Sequence, residues 1–171
     1  MEKISVAVRF RPPNPTPPPA GRFLHFHFHG STYGGGSGDR EWRIEDARVS
    51  LLHRGTPVLG ASFTCGHVFD GTATNALVYG MLVRPVIRAA VDEFNGTVFA
   101  YSQTSNGKTH TMNGSGADPG VIPLAVPDLF DTARQMIDLL LSTAVDREFC
   151  FKVSYMEIYN KDINDLLTLG S

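Results

Sequence analysis

Ile4, Val6, Val8 and Phe10 alternate with smaller or polar residues, the period-two pattern of a half-buried strand, and the pattern stops at Arg11–Pro13, where proline removes a ladder donor. "SFTCGHVFD", residues 62–70, reads as a second core strand. From Asn75 to Phe94 the period lengthens: Leu77, Val78, Met81, Leu82, Val86, Ala89, Ala90 and Phe94 fall near helical spacing, with Pro85 expected to kink the helix. "GTVFAYSQT", residues 96–104, is a continuous apolar run of the kind expected in a strand covered on both faces. "ADPGVIP", residues 117–123, reads as a turn. Leu129, Phe130, Ala133, Met136, Ile137, Leu140 and Leu141 then form a helical stripe. "REFCFKVSYMEIYN", residues 147–160, predicts a long strand with Phe151, Tyr155 and Tyr159 in the core, and "DINDLL", residues 162–167, a closing strand or turn. Strands alternating with helices predict an α/β, three-layer architecture with a mainly parallel central sheet.

Two stretches fall outside this pattern. "PPNPTPPPAG" holds six of the eleven prolines, and "YGGGSGDR" follows it, so surface insertions are expected near 13–21 and 33–40, flanking a short ribbon. Within the ribbon, "HFHFH" places His25, His27 and His29 on one strand face. That spacing can supply two zinc ligands, but no acidic or cysteine companion sits nearby, and a surface strand with phenylalanines inward is the simpler account.

The chemistry concentrates in "AYSQTSNGKTHTM", residues 100–112, between the expected strand and a helix start. A phosphate-binding loop needs backbone amides around the phosphate oxygens, a lysine to reach the β and γ phosphates and a hydroxyl for magnesium; Gly107, Lys108 and Thr109 supply the last three positions. Ser102 stands where the pattern has its first glycine. If that position required a left-handed backbone, serine would cost about 1–2 kcal/mol, weakening binding without abolishing it. Asn106 is the loop residue expected to tolerate such angles.

Composition narrows the classes. The 171 residues are 42% apolar and 19% charged, as in one globular domain, and a formal charge of −2 gives no case for broad nucleic-acid binding. No apolar run is long enough to span a membrane, and the N-terminus has no secretory signal pattern. Cys65 and Cys150 sit in apolar contexts and are expected to be buried, reduced core residues, which suits a cytoplasmic protein.

The loop resembles that of kinesin motor domains, in which a glycine stands at Ser102. Its neighbours agree: "VAVRFRPPN" is similar to the family's adenine-side motif, "HVFDGTATNALVYGMLVRPVI" to its strand and first helix, and "VSYMEIYNKDINDLL" to the strand pair after the loop, in details closest to the plant centromere-protein-E-like kinesins. The resemblance implies a P-loop NTPase fold over 1–171, truncated so that its central sheet is incomplete, with gaps beside the first strand and the loop strand. It implies ATP and Mg2+ as cofactors: Arg9, Arg11 and Pro12 beside the adenine, His110 facing it, Ser102, Gln103, Thr104, Ser105, Asn106, Gly107, Lys108 and Thr109 around the phosphates, and Thr109 on the magnesium. Microtubules would be the partner, through the complete motor, with a kinesin dimer partner also implied, and the location the cytoplasmic microtubule cytoskeleton. The switch motifs Asn-x-x-Ser-Ser-Arg-Ser-His and Asp-Leu-Ala-Gly-Ser-Glu do not occur, so no catalytic residue is assigned and the chain is expected not to hydrolyse ATP alone, although its family is a microtubule-dependent ATPase. The alternative is a non-catalytic pseudo-motor that docks on tubulin or another kinesin. Lys161, where the family has an acid, reads as a surface change, and 138–146 as extra apolar material between helix and strand.

Overall fold

The computed structural model describes residues 4–11, 32–34, 40–141 and 148–168. Pro12, the 13–21 insertion, residues 35–39 and the histidines of "HFHFH" lie outside them. The chain divides into two units, Met1–Leu129 and Phe130–Ser171.

In the first unit, β1 (Ala7–Arg9) pairs in parallel with β6 (His67–Phe69), and this is the described part of the expected parallel sheet. A separate antiparallel sheet runs in the order β2 (Thr32–Gly34), β3 (Arg40–Glu45), β4 (Arg48–His53), β5 (Thr56–Thr64). Its β4–β5 turn, Arg54-Gly55, has positive φ at both residues (52° and 76°), matching the right-handed twist of the flanking strands. Val49 and Leu52 of β4 are buried. The single strand expected over 62–70 is thus two, β5 and β6, belonging to different sheets.

The first helix is α1 (Asn75–Val78), a π-helical turn over Tyr79–Val83, and α2 (Arg84–Val91). Thr74 caps it, its hydroxyl accepting from the Leu77 amide at 3.2 Å. Pro85 acts as expected in disturbing the helix, but the disturbance is a widened turn just before it: proline has no N–H to give the preceding turn, and the ladder shifts register. The buried face is Asn75, Val78, Tyr79, Val83 and Val91; Leu77, Met81 and Phe94, expected inside, are exposed.

Tyr79 and Val83 form a core with Val121, against which Leu82, Ile87, Met112, Leu124 and Ala125 pack. Tyr79 donates its hydroxyl to Asp128, and Arg84 Nε donates to the same carboxylate at 3.2 Å while lying over the Tyr79 ring. Burial and that bond to Asp128 push the Tyr79 phenol above its ordinary range. The core joins the first helix to the elements after the loop, α3 (Lys108–Met112) and α4 (Val121–Leu141).

Part of the expected turn 117–123 is helix, because α4 begins at Val121. The chain enters it through a tight bend closed by a bridge from Gly114 to Pro119. Gly114 has φ 71°, and a Cβ there would fall 2.1 Å from the Gly120 amide, so this bend admits only glycine.

The second unit holds the rest of α4 and a hairpin of β7 (Met156–Tyr159) and β8 (Asp162–Asp165). Its two turn residues, Asn160 (φ 48°) and Lys161 (φ 75°), are both left-handed, so Lys161 occupies a position that glycine normally takes. Along α4 the stripe holds at Ala133, Met136, Ile137 and Leu140, whereas Phe130 and Leu141 are exposed.

Two expected strands do not form among the described residues. Residues 95–101 belong to no ladder, with Phe99 80% and Tyr101 93% exposed, and of 147–160 only Met156–Tyr159 pairs. Phe151, Tyr155 and Tyr159 are exposed, as is Cys150, and Cys65 is half-buried, so none of these is the core residue expected. The physical reason is one: a strand buried on both faces needs neighbours on both sides, and β1 has only β6 while 95–101 has none among the described residues. This is the incomplete sheet expected from the resemblance.

Hydrogen exchange gives a direct check. The amides of Val98, Phe99 and Tyr101 should exchange at close to the rate of an unfolded chain, while those of Val49 and Leu52 in β4 should be protected by orders of magnitude; comparable protection in both sets would contradict the missing ladder.

Candidate phosphate-binding loop

Residues 102–107 form a largely exposed loop running into α3, which starts at Lys108 with Gly107 as its N-cap. Gly107 has φ 89°, the left-handed angle that lets the chain turn abruptly into a helix. Ser102 is half-buried and its φ is not positive, so the strain weighed for a serine there does not arise; its hydroxyl donates to the Gln103 carbonyl at 3.1 Å. The left-handed non-glycine residue is Ser105 (φ 67°), not Asn106. Asn106 instead donates its amide to the Gln103 carbonyl at 3.4 Å.

Cations of the chain occupy the loop's carbonyls. Lys108 Nζ turns back to donate to the Ser102 and Gln103 carbonyls, each at 2.8 Å. Arg11 Nη1, just past β1, donates to the Ser105 carbonyl at 2.7 Å. The amides of Gly107, Lys108 and Thr109 and the Thr109 hydroxyl make no hydrogen bond among the described residues. That donor set, with a lysine at its centre, suits a polyphosphate, and the free hydroxyl beside it suits a magnesium ion held on those phosphates.

Arg9 and His110, assigned to the adenine by resemblance, are both engaged elsewhere. Arg9 leaves β1 toward α1 and α3, donating through Nη1 to Asn75 Oδ1 and to Thr111 Oγ1 (2.9 Å), and through Nη2 to the Ala73 carbonyl (2.8 Å). Burial pulls its guanidinium below the usual range, opposed by the Asp118 carboxylate. His110, half exposed on α3, has Nε2 3.8 Å from Asp118 Oδ2. Of the adenine-side residues that are described, Arg11 alone hydrogen-bonds to the loop, and Thr104 is exposed within it.

Asn75 and Asp118 were not legible as site residues. Asn75 is fully buried: its carboxamide accepts from Arg9 and donates to the His110 and Asp118 carbonyls (both 3.0 Å), while its amide donates to the Asp118 carboxylate (3.1 Å). The available signal was a polar residue on the apolar stripe of a helix, four before Tyr79 and eight before Val83. Among the described residues no cluster of His, Cys, Asp or Glu is placed to hold a metal, and no helix is long and apolar enough to cross a membrane.

The chain has relatives among known proteins. It is 61% identical over 172 residues to the kinesin-like protein KIN-7L of Oryza sativa subsp. japonica and 46% identical over 171 residues to KIN-7N of Arabidopsis thaliana. It is covered by 100% and 99% in these matches but spans only 24% and 17% of those proteins' lengths. Among solved structures, the motor domain of the Kar3-like kinesin from Ashbya gossypii superimposes with a TM-score of 0.62 at 24% identity, over 97% of this chain and 47% of that one, which shows a shared fold. The kinesin motor-domain model matches residues 45–170, a span that includes the loop, the first helix and the β7–β8 hairpin, and the chain belongs to the kinesin motor-domain family.

Proposed function

We propose that the chain is the nucleotide-holding part of a microtubule motor, binding MgATP on residues 102–109 and acting on microtubules within a complete motor. The observation that carries this reading is the loop itself: unspent amides at Gly107, Lys108 and Thr109 beside a free Thr109 hydroxyl, in a chain of the kinesin family. Lys108 would exchange its two carbonyls for the β and γ phosphates, and Thr109 would reach the magnesium. Arg11 would stay on Ser105 and brace the loop. Pro12 and His110 would border the adenine, and Arg9 would support them from its bonds to Asn75 and Thr111. The location that follows is the cytoplasm, on microtubules, with a second kinesin chain as a further partner.

Binding and turnover separate in this reading. The 171 residues contain neither switch motif, so in this reading the far side of the magnesium and the attacking water would depend on residues outside them. Among the described residues, segment 95–101 and one side of β1 have no strand partner, edges that another polypeptide or aggregation would cover, so the isolated chain is proposed to be only marginally stable.

Calorimetry with MgATP tests the reading. Lys108→Ala removes a charge-assisted contact worth about 1.5–3 kcal/mol, so affinity should fall by about tenfold to a hundredfold. Hydrolysis by the chain should stay at background with or without polymerised tubulin, and tubulin-stimulated turnover would overturn the proposal. Tubulin binding that survives Lys108→Ala unchanged would favour the pseudo-motor reading.

Backbone angles yield a second expectation. Ser102→Gly should leave MgATP affinity within about twofold, since no left-handed angle is relieved, whereas Gly107→Ala forces a side chain into φ 89° and should cost about 1–2 kcal/mol of binding. A large gain from Ser102→Gly in the same titration would show that serine does limit the loop.

A further inference from the structure

The phosphate loop hangs from one buried side chain. Asn75 is fully buried at the start of α1, and its carboxamide bonds reach residues far away in sequence: Arg9 on β1, His110 on α3 and Asp118 in the glycine bend. Its orientation is forced. Arg9 can only donate and the two carbonyls can only accept, so Oδ1 must face Arg9 and Nδ2 must face His110 and Asp118. Arg9 carries the connection further, to Thr111 Oγ1, the residue after His110 on α3. The five residues of α3 are therefore held twice, at the His110 carbonyl by Asn75 itself and at Thr111 through Arg9. Directly before those two points come Gly107, Lys108 and Thr109, the residues with unspent amides.

We propose that Asn75 is the positioning residue of the phosphate loop: its carboxamide, with Arg9, sets where the first turn of α3 stands relative to β1, and so where the amides of 107–109 meet a phosphate. The inference rests on the nucleotide reading above for its ligand, but the placement of the loop is a property of the free chain. Asn75 touches no nucleotide and acts through His110 and Thr111.

The test uses the full 171-residue chain, with amide resonances recorded without ligand and MgADP as the titrated probe. Asn75→Asp keeps the shape and the acceptor for Arg9 but turns the donor edge into an acceptor facing two carbonyls. The amide resonances of Gly107, Lys108 and Thr109 should shift, and MgADP should bind about tenfold more weakly. Leu52→Ala, a core change in the separate antiparallel sheet, supplies the comparison: it should lower the unfolding midpoint as much or more while leaving those three resonances and the MgADP affinity in place. Equal effects from the two variants, or unmoved resonances in Asn75→Asp, would overturn the proposal. Should Asn75→Asp fail to fold, Thr111→Val removes only the acceptor that Arg9 uses on α3, and the same three resonances must shift; if they do not, the proposal fails. Absence of MgADP binding by the unaltered chain would sink the nucleotide reading alone, since the ligand-free resonances still decide whether Asn75 places the loop.

Discussion

A fully buried carboxamide has no water to turn to, and Asn75 is the constraint that ties β1, α1, α3 and the glycine bend together. An Asn left unsatisfied there would cost several kcal/mol, so each of its partners is held as firmly as it is. Those partners come from β1, the loop helix and the glycine bend before α4, segments that hydrophobic packing alone could slide past one another. Tyr79, one turn along, supplies the apolar counterpart by packing against Val121 and bonding to Asp128. Specificity of register comes from the polar node, and most of the burial from the core beside it.

The same geometry explains what could be read from the chain in advance. The loop was legible because its chemistry is local: glycine, lysine and threonine in consecutive positions need no knowledge of the rest of the fold. The stripe at Ala133, Met136, Ile137 and Leu140 was legible because helical period is local too. Asn75 and Asp118 were not, since their meaning lies in bonds spanning 43 and 66 positions, and nothing about either residue taken alone announces a partner. The apolar runs at 95–101 and 148–155 misled for the complementary reason. An apolar run states a capacity to be buried, and burial in a sheet is completed by neighbours on either side; without them Phe99, Tyr101 and Tyr155 stand exposed. The serine at 102 misled in a third way, because its cost was attached to a backbone angle that the chain adopts at Ser105 and Gly107 instead.

The loop also sorts its own polarity. A peptide segment carries donors and acceptors in equal number, so a bare turn is no better suited to an anion than to a cation. Here Arg11 takes the Ser105 carbonyl and Lys108 takes those of Ser102 and Gln103. Three acceptors are thereby committed to positive charge, while the donors at 107–109 remain unspent. What is left to meet a ligand is a set of N–H groups backed by two cations, an arrangement that favours an anion over a bare metal ion. In the proposed nucleotide-bound state Lys108 would leave its carbonyls for a phosphate oxygen, trading two neutral acceptors for a charged one. Arg11 reaches the loop from outside it, just past β1, and its bond to the Ser105 carbonyl ties the middle of the loop to the strand end.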